Sequence, residues 1–108
     1  MIRQMLATDV KAKLDAGEPV LLLDVRQPEE YAICRLPGSQ LIPLNELAVR
    51  ASEIDPPAGT TIVVYCHHGV RSLHATHFLQ QNGFENVVSM HGGIDAWSQQ
   101  VDATVRRY

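Results

Sequence analysis

Residues 61–75 read Thr61-Ile-Val-Val-Tyr-Cys66-His-His-Gly-Val-Arg71-Ser-Leu-His-Ala75, and this stretch constrains the fold more than any other. A β-branched apolar run stops at a cysteine, a loop follows, and the chain then turns helical. Strand, loop and helix start therefore meet at one thiol. A helix N-terminus presents unpaired N–H groups and about half a positive charge, so it favours anions. A cysteine facing it ionises more easily than a free thiol.

The remaining segments supply a scaffold of alternating strands and helices. Residues 2–6 read as a short edge strand. Thr8 is a plausible N-cap for a helix over 9–16, with Gly17 at its C′ position. The continuous apolar run Val20-Leu-Leu-Leu-Asp24 suits a strand buried on both faces. Pro28, followed by Glu29 and Glu30, starts a helical turn through Tyr31. A turn at 36–39 leads to a short strand over 40–42, and Asn45 can cap a helix carrying Leu47, Ala48 and Ala51. Beyond the cysteine loop, a helix over 72–82 stops at Gly83, and Phe84 can fold back onto it. A strand over 86–90, a Gly92-Gly93 turn and a helix over 94–99 that buries Trp97 complete the series. Residues after 100 show no clear period. Strands alternating with helices predict an open α/β sheet covered on both faces.

Composition narrows the class of function. A chain of 108 residues is long enough for one domain with its own core. With 45% apolar and 19% charged residues it reads as an ordinary folded protein. A formal charge of −3 and a pI near 5.9 argue against a nucleic-acid surface, which needs a basic face. The apolar runs are strand-length and far short of a membrane span. The first residues lack the apolar core of about 7–15 residues that a signal peptide carries. Two cysteines point to a reducing compartment and to thiol chemistry more than to a disulfide framework. The expected location is a bacterial-type cytoplasm.

In the loop itself, Gly69 permits the positive φ that a tightly curled turn needs, and Arg71 adds a permanent cation at the helix entry. Together they suit a thiolate, or an oxyanion or extra sulfur bound beside it. A buried structural cysteine is the ordinary alternative, but apolar burial does not account for the neighbouring His-His-Gly-Val-Arg.

These motifs resemble the rhodanese family over nearly the whole chain. Leu23-Asp-Val-Arg26-Gln-Pro28-Glu-Glu-Tyr31 is similar to the family's N-terminal signature and Leu36-Pro-Gly-Ser39 to the turn that follows it. Cys66-His-His-Gly-Val-Arg71-Ser72 resembles its active loop, Asn82-Gly-Phe84 its helix exit, and Gly92-Gly-Ile-Asp-Ala-Trp97 its C-terminal box. The length and arrangement are similar to those of single-domain bacterial thiosulfate sulfurtransferases. The resemblance implies one rhodanese-like domain over 1–108, with an open, mostly parallel five-stranded sheet. It also implies sulfur transfer through a Cys66 persulfide. The donor would be thiosulfate or a protein persulfide, and the acceptor cyanide or a thiol, with thioredoxin-like proteins among the partners. The backbone N–H groups of His67, His68, Gly69, Val70 and Arg71 would cradle the persulfide. Arg71 would either bind the anionic donor or anchor the loop against Asp24 or Glu30.

Four residues separate Cys66 from Arg71. That is the loop length the resemblance associates with sulfur transfer; related phosphatases and arsenate reductases carry one more, making room for a tetrahedral oxyanion. A rival of another kind is a sulfur-carrier module with little turnover.

Other candidates carry two readings each. His67 and His68 are acid–base groups, or loop residues lending mainly backbone N–H groups. Asp24 and Arg26 line the pocket or form a structural ion pair; the pair is preferred for Asp24, and Arg26 stays open. Trp97 reads as core more than as a substrate platform. His74 and His77, spaced i, i+3, could bind zinc together with Cys66, but zinc would remove the nucleophile, so neither metal nor cofactor is expected. Cys34 departs from the family, with Cys34-Arg35 where many relatives have Gly-His. It is an inert thiol, or a resolving one that takes sulfur from Cys66 or closes a regulatory disulfide.

Overall fold

The computed structural model describes residues 2–108. Five strands form one sheet: β1 (Gln4–Leu6), β2 (Val20–Asp24), β3 (Gln40–Leu41), β4 (Thr61–Tyr65) and β5 (Val87–His91). Helices α1 (Ala7–Asp15), α2 (Pro28–Ile33), α3 (Leu47–Arg50), α4 (Val70–Gln81) and α5 (Gly93–Gln100) connect or follow them, and short 3₁₀ turns flank α3. The strand order is β1-β5-β4-β2-β3. Every pairing is parallel, so the expected sheet is found with no antiparallel edge. Among the described residues, no helix is long and apolar enough to cross a membrane.

Parallel strands with helices on both faces need apolar side chains pointing both ways, and β4 supplies them. All five of its residues are buried. Ile62 and Val64 join Ala75 and Leu79 of α4 and Leu47 of α3 on one face. Val63 and Tyr65 join Ala7 and Val10 of α1 and Ile94 and Trp97 of α5 on the other. Each fully buried aliphatic side chain contributes about 1.5–3 kcal/mol. Trp97, 5% exposed, is core.

The sheet order also places the site. From β2 the chain crosses through α2 to β3 on one side, and from β4 it crosses through α4 to β5 on the other. The connections diverge at the carboxyl ends of two neighbouring strands, where open α/β sheets form their crevice. Asp24 pairs with Tyr65 across that boundary.

Several boundaries differ from the sequence expectation. Helix α1 begins at Ala7 directly after β1, with Leu6 as N-cap, so Thr8 lies inside the first turn and caps nothing. Gly17 does follow the helix, at φ +73°. Asn45 is not a cap either. Pro43 opens a 3₁₀ turn there, and Asn45 Oδ1 instead accepts from Gln27 Nε2 at 3.2 Å. Helix α4 starts at Val70, two residues before the expected 72, because Gly69 at φ +106° already turns the chain into the helix.

Candidate active site around Cys66

Three segments build the site. The first is the loop from Cys66 to the start of α4. Cys66 ends β4 on the α4 side of the sheet and is 1% exposed. Its Sγ accepts the N–H of Gly69 at 3.1 Å and of Ser72 at 3.4 Å, and Ser72 Oγ lies 3.6 Å away. Ser72 Oγ donates to the Gly69 carbonyl at 3.1 Å and shares a 2.7 Å bond with Ser89 Oγ of β5. The thiol therefore sits inside a backbone curl that a buried hydroxyl pair holds shut. The first-turn N–H groups of Val70 and Arg71 have no partner within α4.

The second segment is the start of α5. Ile94 N–H donates to the Cys66 carbonyl at 2.8 Å, and Asp95 N–H to the His67 carbonyl at 3.1 Å. Holding those carbonyls outward turns the N–H side of the loop toward the sulfur. Gly93 makes the approach possible. A Cβ there would stand 2.5 Å from the Cys66 carbonyl oxygen and 2.4 Å from that of His67, and φ is +63°.

The third segment follows β2. Asp24 and Arg26 are both fully buried and form a two-point pair, Nε to Oδ1 at 2.9 Å and Nη2 to Oδ2 at 2.6 Å. Arg26 also donates to the Cys34 carbonyl at 2.6 Å and the Glu30 carbonyl at 3.3 Å. Burial opposes the guanidinium charge, but the bonds to Asp24 and to the Tyr108 phenol outweigh it and keep the group protonated. Both partners are thus committed to each other inside the protein. Arg26 braces the connection after β2 and is closed to solvent.

Arg71 finds Glu30, not Asp24, with Nη1–Oε1 at 2.6 Å and Nη2–Oε2 at 2.9 Å. This pairing holds the Glu30 carboxyl down, to about 2, against the opposing effect of burial. The same pairing pushes Arg71 up.

The other expected residues are scattered around this centre. His67 stacks on Tyr108, ring centroids 3.9 Å apart and planes 7° apart, and its Nε2 is buried without a partner. Burial, and then the neighbouring His68, push its imidazole below the ordinary value. His68 and Val70 point to solvent. His74 and His77 are exposed while Cys66 Sγ is buried, so these three do not form a ready metal site. Ligand atoms of His67, His68 and Asp95 do lie within 4.8 Å of one another, though Asp95 is already engaged by Arg107 and Gln99. Cys34 packs against the cluster on the opposite face from Cys66, its Sγ 3.8 Å from Arg26 Nη1. A bridge between the two thiols would require residues around Cys34 to leave that cluster.

Sequence reasoning missed Ser89, Gly93 and Tyr108, and gave Ser72 no role of its own. A serine in the first turn after the loop was the available signal for Ser72. Nothing local marked Tyr108.

A thiol held by N–H groups at a helix start, at the divergence point of a fully parallel sheet, defines a class of α/β domain. The rhodanese-like domain family matches residues 6–100, and the chain belongs to it. It is 34% identical over 99 residues to a sulfurtransferase of Allochromatium vinosum, covering 92% of this chain and 91% of that protein. It is 35% identical over 92 residues to the thiosulfate sulfurtransferase GlpE of Pseudoalteromonas translucida, covering 83% and 84%. A crystal structure of a rhodanese-like domain protein from Staphylococcus aureus superposes with a TM-score of 0.82 at 26% identity, over 99% of both chains. Longer relatives also match. The chain spans 49% of a putative sulfur carrier protein of Bacillus subtilis and 24% of a probable adenylyltransferase/sulfurtransferase of Mycobacterium tuberculosis.

Proposed function

We propose that this chain is one rhodanese-like domain that moves sulfane sulfur through a persulfide on Cys66. The observation that carries the reading is the Cys66 sulfur between the N–H groups of Gly69 and Ser72. Cys66, as thiolate, attacks the outer sulfur of thiosulfate; the sulfur–sulfur bond of the donor breaks and sulfite leaves with its electron pair. The persulfide's negative charge falls where the unpaired N–H groups of Val70 and Arg71 can receive it. Cyanide or an acceptor thiolate then attacks the outer sulfur and leaves as thiocyanate or a new persulfide, restoring the Cys66 thiolate.

Arg71 acts as an anchor in this scheme, its planar donors committed to Glu30. His67 contributes its backbone and an imidazole that burial keeps from charging easily. With so little free positive charge at the rim, a protein persulfide is as reasonable a donor as thiosulfate.

The test is mass spectrometry of Cys66 after thiosulfate treatment, paired with thiosulfate:cyanide turnover of the wild type and Cys66→Ser. Addition of one sulfur atom on Cys66 together with turnover supports the enzyme. Addition without turnover supports a sulfur carrier. Absence of both in the wild type, or turnover surviving in Cys66→Ser, overturns the persulfide reading.

A further inference from the structure

Residues 101–108 form no helix or strand, yet they are tied down along their length. Ser98 Oγ donates to the Val105 carbonyl at 2.7 Å, and Val105 packs against the α1–α5 core. Thr104 N–H and Oγ1 donate to Asp102 Oδ1 at 3.0 and 2.6 Å, and Arg107 Nε donates to Asp95 Oδ1 at 2.9 Å. These ties carry Tyr108 to the Cys66 loop.

Tyr108 then touches the start of the loop and the carboxylate that anchors its far end. Its ring lies on His67, the residue after Cys66. Its hydroxyl donates to Glu30 Oε2 at 2.7 Å and accepts from Arg26 Nη1 at 2.9 Å. Glu30 is the carboxylate that holds Arg71 at the far end of the loop. One side chain thus links the residue next to Cys66 with the carboxylate that anchors Arg71, beside a thiol that is 1% exposed. Tyr108 itself is 39% exposed, and its bonds can be exchanged for water. A contact of that kind opens at the low end of a protein's local stabilities.

Resting on the reading of Cys66 as the sulfur-bearing thiol, we infer that Tyr108 is a specificity-determining residue. Closed on His67, it admits slender sulfur species and holds back bulky thiols until the 102–108 strap lifts. A protein donor or acceptor must displace it, so sulfur passes to such a partner only in a docked complex. In the closed state the persulfide is shielded from large thiols in free solution.

The test compares alkylation of Cys66 by iodoacetamide and by a bulky iodoacetyl-fluorescein, followed by peptide mass mapping so that Cys34 is counted separately. Tyr108→Ala should raise the bulky reagent's rate at Cys66 roughly tenfold and the small one's by less than about twofold, since the rate follows the open fraction. Tyr108→Phe keeps the ring on His67 but loses the hydroxyl bonds to Glu30 and Arg26, and should give a ratio between those of the wild type and Tyr108→Ala. An unchanged ratio in Tyr108→Ala overturns the proposal. Because alkylation needs no sulfur chemistry, that result is separable from a failure of persulfide formation.

Discussion

Glu30 and Arg71 meet in a two-point ion pair, 2.6 and 2.9 Å, that ties the first turn of α2 to the end of the Cys66 loop. The two residues are 41 positions apart in the chain, and the pair turns a flexible cation into a fixed strut. It also commits both Nη1 and Nη2 of Arg71 to a partner within the protein.

The strut has an acid limit. The Glu30 carboxyl lies at about 2 in the fold against an ordinary 4.5, so its contribution is complete above pH 4.5 and disappears as pH falls toward 2. Arg71 is about a third exposed, which reduces the contribution through screening to about 1–2 kcal/mol. Urea unfolding at several pH values should show wild-type stability falling more steeply between pH 4.5 and 2.5 than that of Glu30→Gln. Parallel curves would show that the pair contributes nothing.

A buried pair behaves differently from a surface one. Arg26→Met leaves the Asp24 carboxylate unpaired where neither residue is exposed, at a cost of about 3–5 kcal/mol. Domains of this size hold about 5–15 kcal/mol in total, so Arg26→Met should be marginally folded at 37 °C. Arg71→Met should lose less than half as much. Adding Asp24→Leu to Arg26→Met should recover part of the loss, because the orphaned charge is gone. Thermal melts of the three variants and the wild type decide the order.

Ser72→Ala removes the hydroxyl shared by the Gly69 carbonyl and Ser89 Oγ. Unpaired buried groups cost about 1–3 kcal/mol, and the upper part of that range is expected if no water replaces the hydroxyl. The curl around Sγ should loosen as well, lowering the rate of sulfur loading on Cys66 measured by quenched mass spectrometry. A variant that loses stability but loads sulfur at the wild-type rate would confine Ser72 to a packing role.

Gly93→Ala forces a Cβ to within 2.4–2.5 Å of two loop carbonyls, so either α5 or the loop must move. Gly38→Ala is the control, with a similar positive φ, +77° against +63°, and open space around the added atom. The control should lose about 1–2 kcal/mol from backbone conformation alone. Gly93→Ala should lose that and about 1–3 kcal/mol more from crowding, together with sulfur loading. Equal melting temperatures in the two variants would show that the close approach of α5 to the loop is relaxed without cost.

Which part of this was legible beforehand follows from what each signal depends on. The strand–loop–helix at Cys66, the two-faced burial of residues 20–24 and 61–65 and the break at Gly17 were readable because they are local. They rest on β-branching, on apolar periodicity and on glycine's access to positive φ. The caps assigned to Thr8 and Asn45 were wrong for the complementary reason. A side-chain oxygen takes whatever donor the fold brings near, and Gln27, 18 positions away, reached Asn45.

By itself, then, the sequence determined the class of sheet, the position of the thiol at a strand end and the length of the loop behind it. The tertiary structure decided which carboxylate holds Arg71, that Gly93 lets α5 grip the carbonyls of Cys66 and His67, and that Tyr108 stacks on His67. Those choices depend on the strand order β1-β5-β4-β2-β3, which brings the ends of β2 and β4 and the start of α5 to one edge. Contacts between residues 30 and 71, 67 and 108, or 66 and 94 have no local signature, because only closing that sheet brings them together.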